Sequence, residues 1–377
     1  NKILTGNYNG DLLTELEFAS LPFPTRVYVD NAGNFAYIPS MLTVKKILLE
    51  TGDIVSTIDP FKSIEMPEDA FITSVYSMDE LIFLTVHGTD FDKLYIYNAN
   101  TNEIMFDTNT DPYPIQTLVA GKYLFILCEG IMGQNNSKLW VYEIDNTQGL
   151  YLNFTKEFDV GDAGNHIFNH QNNKLLITAN GSHEIHILDI PNLTIEDTIK
   201  TPTTGFDGPR ESNVIGNDAI VVSAYDGNLY TFDFNGVQLS KISLNSKLEG
   251  IFTYTLNPVL NYYIVAVTSP FQPNYSPNDK VFLFVNFSTV EESTSPIKAN
   301  LYPNPSQDYI SLKFEENLTN TFNLNIVNIF GQTLKKYQFT YAGNEIKIPV
   351  NDLSIGTYTA LISYDGNNFA LPFSIIR

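Results

Sequence analysis

The chain has 377 residues, 43% of them apolar, which is enough for two or three packed domains and excludes a disordered protein. With 42 acidic residues against 21 basic ones the net charge is −21, which opposes binding to phosphate backbones and anionic lipid surfaces and so excludes nucleic acid as a partner. No apolar run is long enough to span a bilayer, and residues 1–20 hold no signal-peptide core, so any export signal is expected to have been removed from this numbering.

Residues 1–20 read as two short strands, 2–5 and 12–18, joined through Tyr8-Asn9-Gly10-Asp11, where Asn and Gly tolerate positive φ. The piece resembles Phe234-Asn235-Gly236 and the strand after it, so it is expected to be the second half of a repeat without its first half. A complete series comes next. Its opening strands are predicted at 26–29, 71–75, 115–119, 166–168, 212–215 and 251–255, and its second strands at 35–38, 81–86, 123–128, 175–178, 219–223 and 262–267. The third strands, at 44–49, 94–97, 139–144, 185–190, 229–234 and 281–286, are the most legible. Leu94-Tyr95-Ile96-Tyr97 alternates, Asn98-Ala99-Asn100-Thr101-Asn102 turns, and Glu103-Ile104-Met105 starts a fourth strand. Other fourth strands are predicted at 53–58, 151–158, 194–199 and 237–242.

Four short strands per roughly 45 residues, repeated without helical periodicity, are the signature of β-propeller blades. The 26 Phe and 22 Tyr residues, against one Trp, suit pleated sheets. Six opening strands predict a six-bladed propeller over 1–287, with seven blades as the alternative count. The N-terminal piece is expected to complete the last blade sheet, because an open series would leave sheet edges unpaired. Residues 288–299 are polar, break the repeat and read as a linker. Beyond it, alternating strands at 309–314, 322–329, 333–339, 345–350, 356–364 and 369–376 predict a compact antiparallel β-sandwich.

This last segment, 300–377, carries Leu301-Tyr302-Pro303-Asn304-Pro305, then Ile326-Val327-Asn328-Ile329-Phe330-Gly331-Gln332, then Leu353-Ser354-Ile355-Gly356-Thr357-Tyr358, and an alternating apolar end. In these motifs it resembles the C-terminal sorting domain of proteins exported by the type IX secretion system of Bacteroidota. The resemblance implies passage through the periplasm and across the outer membrane, recognition by the type IX translocon and its substrate-receiving components, and removal of the domain with surface attachment or release. The family often places Lys or Arg just before a final apolar strand, whereas here Lys347 is distant and Arg377 is the last residue. The propeller resembles Bacteroidota surface propellers with YVTN-like repeats in general pattern only, and no site is carried over from that likeness.

Candidate site residues come from the blade pattern. Arg26 and Arg210 are the propeller's only arginines, and both fall at the entrance of an opening strand; Gln116, His166 and Glu249 occupy the aligned positions. In a propeller the opening strand lines the channel, and its entrance shares a face with the loops between second and third strands. Those loops are longest at 87–93, 130–138 and 269–280, and the last supplies Phe271 and Tyr275 as a stacking wall. This face is expected to bind a ligand with a carboxylate, a sulfate or sugar hydroxyls, the arginines acting as forked donors. The competing reading pairs the arginines with acids such as Asp30 or Glu211, so that they knit blades together.

His166, His170, His183 and His186 cluster in sequence, but His183 and His186 are an odd number apart on a predicted strand and point to opposite faces, so no metal site is expected. Cys128, the single cysteine, reads as a small buried hydrophobe. Asp- and Asn-rich loops such as Thr89-Asp90-Phe91-Asp92 and Asp226-Gly227-Asn228 lack calcium-loop spacing and read as turns. No cofactor motif is present. The functional expectation is a secreted cell-surface binding module for a surface glycan or protein. A propeller enzyme, glycan lyase or hydrolase, is the alternative, and a structural component of a surface assembly the third.

Overall fold

The computed structural model describes residues 2–6, 12–17, 27–30, 33–145, 151–171, 173–216, 219–257, 262–287, 299–318, 321–328, 333–340, 343–364 and 367–376. Within them, successive antiparallel sheets follow the chain. The first blade pairs Tyr28–Val29, Phe35–Ser40, Thr43–Leu48 and Ile54–Ile58 in chain order. The second is Phe71–Met78, Leu81–Gly88, Phe91–Asn98 and Glu103–Asn109, and the third Pro114–Ala120, Tyr123–Cys128, Ser137–Asp145 and Tyr151–Gly161. The fourth is Gly164–His170, Lys174–Ala179, Glu184–Asp189 and Thr194–Lys200; the fifth is Pro209–Ile215, Ala219–Ala224, Asn228–Asp233 and Gln238–Ser243. The sixth has three strands, Ile251–Asn257, Tyr262–Phe271 and Pro277–Phe287.

Packing explains why the second strands read as continuous apolar runs. In the third blade Leu124, Ile126 and Cys128 pack against Phe83, Leu94 and Ile96 of the second blade. Phe125 and Leu127, pointing the other way, pack against Ile167, Leu175 and Ile177 of the fourth. Leu176 then faces the fifth blade with Val222 and Tyr230. With period 2 and both faces buried, every position must be apolar. Consecutive sheets stacked face to face in this way make the first part of the chain a β-propeller.

The turns repeat as well. Between first and second strands a residue with positive φ recurs: Asp79, Gly121, Gln171 and Gly216. Between third and fourth strands, the side chain of Asn98, Asp189 or Asp233 accepts the N–H groups of the following turn. These Asx turns are the physical content of the Asn-rich stretch after Tyr97.

The N-terminal piece departs from expectation. Lys2–Gly6 and Leu12–Glu17 form a two-stranded sheet of their own, in register from Lys2↔Glu17 to Gly6↔Leu12, and do not complete the last blade sheet. A local hairpin closes a short loop, whereas pairing across the whole repeat series costs more chain entropy.

The chain divides into two compact units, one of residues 1–214, 218–252 and 267–282, the other of 215–217, 253–266 and 283–377. In the second unit Ala299–Tyr302, Tyr309–Leu318 and Gly343–Pro349 form one sheet, and Thr333–Thr340, Thr321–Asn328, Gly356–Tyr364 and Asn367–Ile375 form another. Ile310, Leu312, Phe314 and Ile348 of the first sheet share one core with Phe322, Leu324, Ile362 and Phe373 of the second, which makes a β-sandwich. The linker expected over 288–299 lies outside the described residues except for Ala299, which opens the first strand.

Candidate ligand face

The first strand of a blade is a sheet edge, so its N–H groups need partners from outside the sheet. The preceding blade supplies them through side chains. Ser74 Oγ accepts the N–H of Thr117 at 3.1 Å, Gln116 Oε1 that of Ile167 at 2.8 Å, His166 Nδ1 that of Ser212 at 3.3 Å, and Glu211 Oε2 that of Ile251 at 3.0 Å. Gln116 also donates from Nε2 to the Ile167 carbonyl at 2.9 Å, so both ends of its amide are used. Register shifts in the second, third and fourth blades place a bulge just before Ser74, Gln116 and His166. The bulge turns the next side chain along the inner strands toward its neighbour. The belt ties blades two to six together.

At the entrance of the fifth and sixth blades the polar groups form a second layer. Arg210 sends Nε and Nη2 to the same oxygen of Glu249, at 3.0 and 2.7 Å, and its guanidinium lies 4.6 Å from the Tyr225 ring centroid. The other Glu249 oxygen accepts the Tyr225 hydroxyl. Burial works against the Arg210 charge, but the Glu249 carboxylate outweighs it and the guanidinium pKa is raised. Burial also raises the Tyr225 phenol, with Glu249 adding to it.

Next to this pair, Lys247 is almost buried and meets the Asp207 carboxylate. Its ammonium sits 4.6 Å from the Tyr275 ring centroid, and the Tyr275 hydroxyl donates to Asp207 Oδ1 at 3.3 Å. Tyr275 is at the tip of a loop closed by Tyr275 N–H to the Gln272 carbonyl at 2.9 Å and Gln272 N–H to the Ser276 carbonyl at 2.8 Å. Phe271 anchors the base of the loop, its carbonyl accepting the Lys247 N–H at 2.9 Å and its ring centroid 6.3 Å from that of Tyr275.

The predicted residues thus separate into two groups. Arg210, Glu249, Phe271 and Tyr275 come together at one end of the fifth and sixth blades; Gln116 and His166 are spent on the belt. Arg26 lies outside the described residues. Glu211, not Arg210, is the structural counterpart of Gln116 and His166, because it is Glu211 that accepts an N–H of the next opening strand. Sequence reasoning missed Asp207, Tyr225 and Lys247, whose only signal was their place beside predicted strand entrances.

The histidines disperse. His183 Nδ1 meets Thr203 Oγ1 at 2.9 Å from a turn rather than a strand, His186 meets Thr198 Oγ1 at 3.0 Å, and His170 lies beside the Phe234 ring. Among the described residues no three His, Cys, Asp or Glu side chains gather as metal ligands.

The C-terminal motifs have structural roles. Asn304 Oδ1 accepts the Ser374 N–H at 3.0 Å, and buried Ser306 exchanges backbone bonds with Ser374 and Ile376 at 2.8 and 2.9 Å, so the Tyr302-Pro303-Asn304-Pro305 segment clamps the final strand. Both prolines follow cis peptide bonds. Tyr358 donates to the Ser354 carbonyl at 2.7 Å, closing the turn that holds Gly356, and stacks on Phe373. Gly331 lies outside the described residues.

No curated protein matches the chain in sequence. Among solved structures, the Mitotic Checkpoint Complex matches with 8% identity and a TM-score of 0.51, over 94% of this chain and 90% of that one. Kuenenia stuttgartiensis hydrazine synthase matches with 12% identity and a TM-score of 0.50, over 70% of this chain and 79% of that one. The WD40 beta propeller domain of Doa1 matches with 10% identity and a TM-score of 0.45, over 63% and 74%. At such identities the likeness concerns fold alone. Residues 300–371 match the family described as the secretion system C-terminal sorting domain. The chain is therefore a type IX secretion substrate, a β-propeller protein whose C-terminal sorting domain sends it to the cell surface or exterior.

Proposed function

We propose that this exported propeller, spanning 1–287 and joined through 288–299 to its sorting domain at 300–377, works as a binding module. Its ligand face is the end of the fifth and sixth blades, and the ligand is a surface glycan or protein. The observation that carries this reading is the double network Arg210–Glu249–Tyr225 and Asp207–Lys247–Tyr275, in which largely buried ion pairs fix the exposed ring of Tyr275. The carboxylates there already hold cations, and Glu211 holds a backbone N–H, which favours recognition over acid–base chemistry.

The test is sedimentation of the purified full chain with intact cells and extracellular matrix of its source. Phe206, exposed in the turn before Asp207, adds a second ring to this face; the doubly substituted Phe206→Ala/Tyr275→Ala protein is expected to lose most of the bound fraction, and Met105→Ala, on an exposed fourth strand, to lose none. Equal binding by all three proteins refutes the reading.

A further inference from the structure

Resting on that reading, we infer that the Tyr275 loop and the Phe206 turn form a subsite for a neutral carbohydrate, a sugar ring lying on the exposed aromatic surface and its hydroxyls on the neighbouring polar groups. Three observations carry this.

The first is conformation. Tyr275 has φ of 63°, a region that bulky L residues avoid and that costs energy to hold. The loop spends that energy on a ring that is 51% exposed and is gripped from two sides, by the Lys247 ammonium and by Asp207. A tyrosine kept only for packing would be buried, and one kept only for solubility would not need fixing.

The second is a neighbouring apolar group without a packing role. Phe206 is 78% exposed, more than any other large hydrophobic side chain among the described residues. It sits at the tip of a turn made by Gly205, with φ of 62°, and by the Asp207 N–H donating to the Thr204 carbonyl at 3.2 Å. Asp207 is the residue that Tyr275 bonds, so the Tyr275 loop is joined to the turn that carries Phe206. Aromatic faces flanked by carboxylate and hydroxyl groups suit a pyranose, which offers C–H groups on its face and hydroxyls at its edge.

The third is charge. Lys247 pairs with Asp207 and Arg210 with Glu249, so each cation at the site is matched by a carboxylate. The fork of Arg210 is turned onto Glu249. An anionic ligand would have to displace a carboxylate and approach a chain of net charge −21, whereas a neutral sugar bears neither cost.

Affinity electrophoresis of the full chain through gels containing dextran, mannan, xylan or polygalacturonate tests the assignment. At least one of the three neutral polysaccharides is expected to retard the protein, and polygalacturonate not to. Phe206→Ala and Tyr275→Ala should each weaken retardation by about tenfold, as expected for loss of an aromatic anchor, while Tyr275→Phe should retain most of it. Phe206 is exposed enough for its removal to leave folding intact, which a thermal melt verifies. The carbohydrate assignment is overturned if none of the neutral polysaccharides retards the protein, if polygalacturonate retards it most, or if the alanine variants migrate as the wild type does. Loss of cell or matrix binding by the aromatic variants, combined with no retardation in any gel, overturns the carbohydrate and leaves the binding face standing. Unchanged cell binding together with no retardation overturns both.

Discussion

Gln116 spends both ends of one amide on Ile167 of the next blade, so it is a peptide-like clip between two sheet edges. Gln116→Leu leaves the N–H and carbonyl of Ile167 without these partners. Two lost bonds at a half-buried place should cost about 2–3 kcal/mol, read as a lower urea midpoint. Gln116→Glu does not rescue, because its carboxylate suits the N–H but faces the carbonyl. His186 makes a different residue-scale case. Its Nε2 faces the Val160 carbonyl at 3.4 Å and its Nδ1 the Thr198 hydroxyl at 3.0 Å, the pattern of a neutral ring protonated on Nε2. Burial lowers its pKa below the ordinary 6.5, although Glu184 and the Val160 carbonyl pull the other way. The unfolded chain therefore takes up a proton near pH 6.5 that the folded chain accepts only at lower pH. This contribution to stability is complete above pH 6.5 and is lost as pH falls toward the depressed folded value. His186→Gln should flatten that part of the stability–pH curve, as followed by urea titrations in steps below neutrality.

Elements show which parts of the fold are legible from sequence and which are not. Second strands such as Tyr123–Cys128 announce themselves because both faces are buried, and third strands because an Asx turn comes after them. The bulges before Ser74, Gln116 and His166 leave no trace in hydrophobic periodicity, so periodicity does not mark which side chain of an opening strand reaches the neighbouring blade. The ligand face is half legible. Arg210, Glu249, Phe271 and Tyr275 stand at strand entrances or in a long loop, but the partners that orient them come from separate turns and have no linear spacing. In the sorting domain the legible motif is also a structural device. Since Asn304 accepts the Ser374 N–H, Asn304→Ala should cost about 1 kcal/mol and speed hydrogen exchange at Ser374 and Ile376. Exchange at the Leu324 amide, in the middle of a central strand, should stay unchanged. If Ser374 exchange is also unaltered, the clamp has no energetic role.

For the whole molecule, the sandwich core among the described residues draws on positions between 299 and 375, and the described blade cores draw on positions before 288. If each segment closes its own core, the export address and the exported cargo should be separable in energetic terms. A chain ended at residue 299 should therefore keep the near-ultraviolet signal of its aromatic-rich blades. It should nevertheless accumulate inside the outer membrane instead of reaching the surface or medium. A fragment of residues 299–377 should melt cooperatively by itself, with Phe314 packed edge-on against Phe322 at 5.4 Å in its core. Mass spectrometry of full-length protein recovered from the cell surface or medium completes the comparison: a mass lacking 300–377 shows that the propeller alone is the working molecule. Export of the shortened chain at the wild-type level would refute the separation, because the address would then have to lie in the blades.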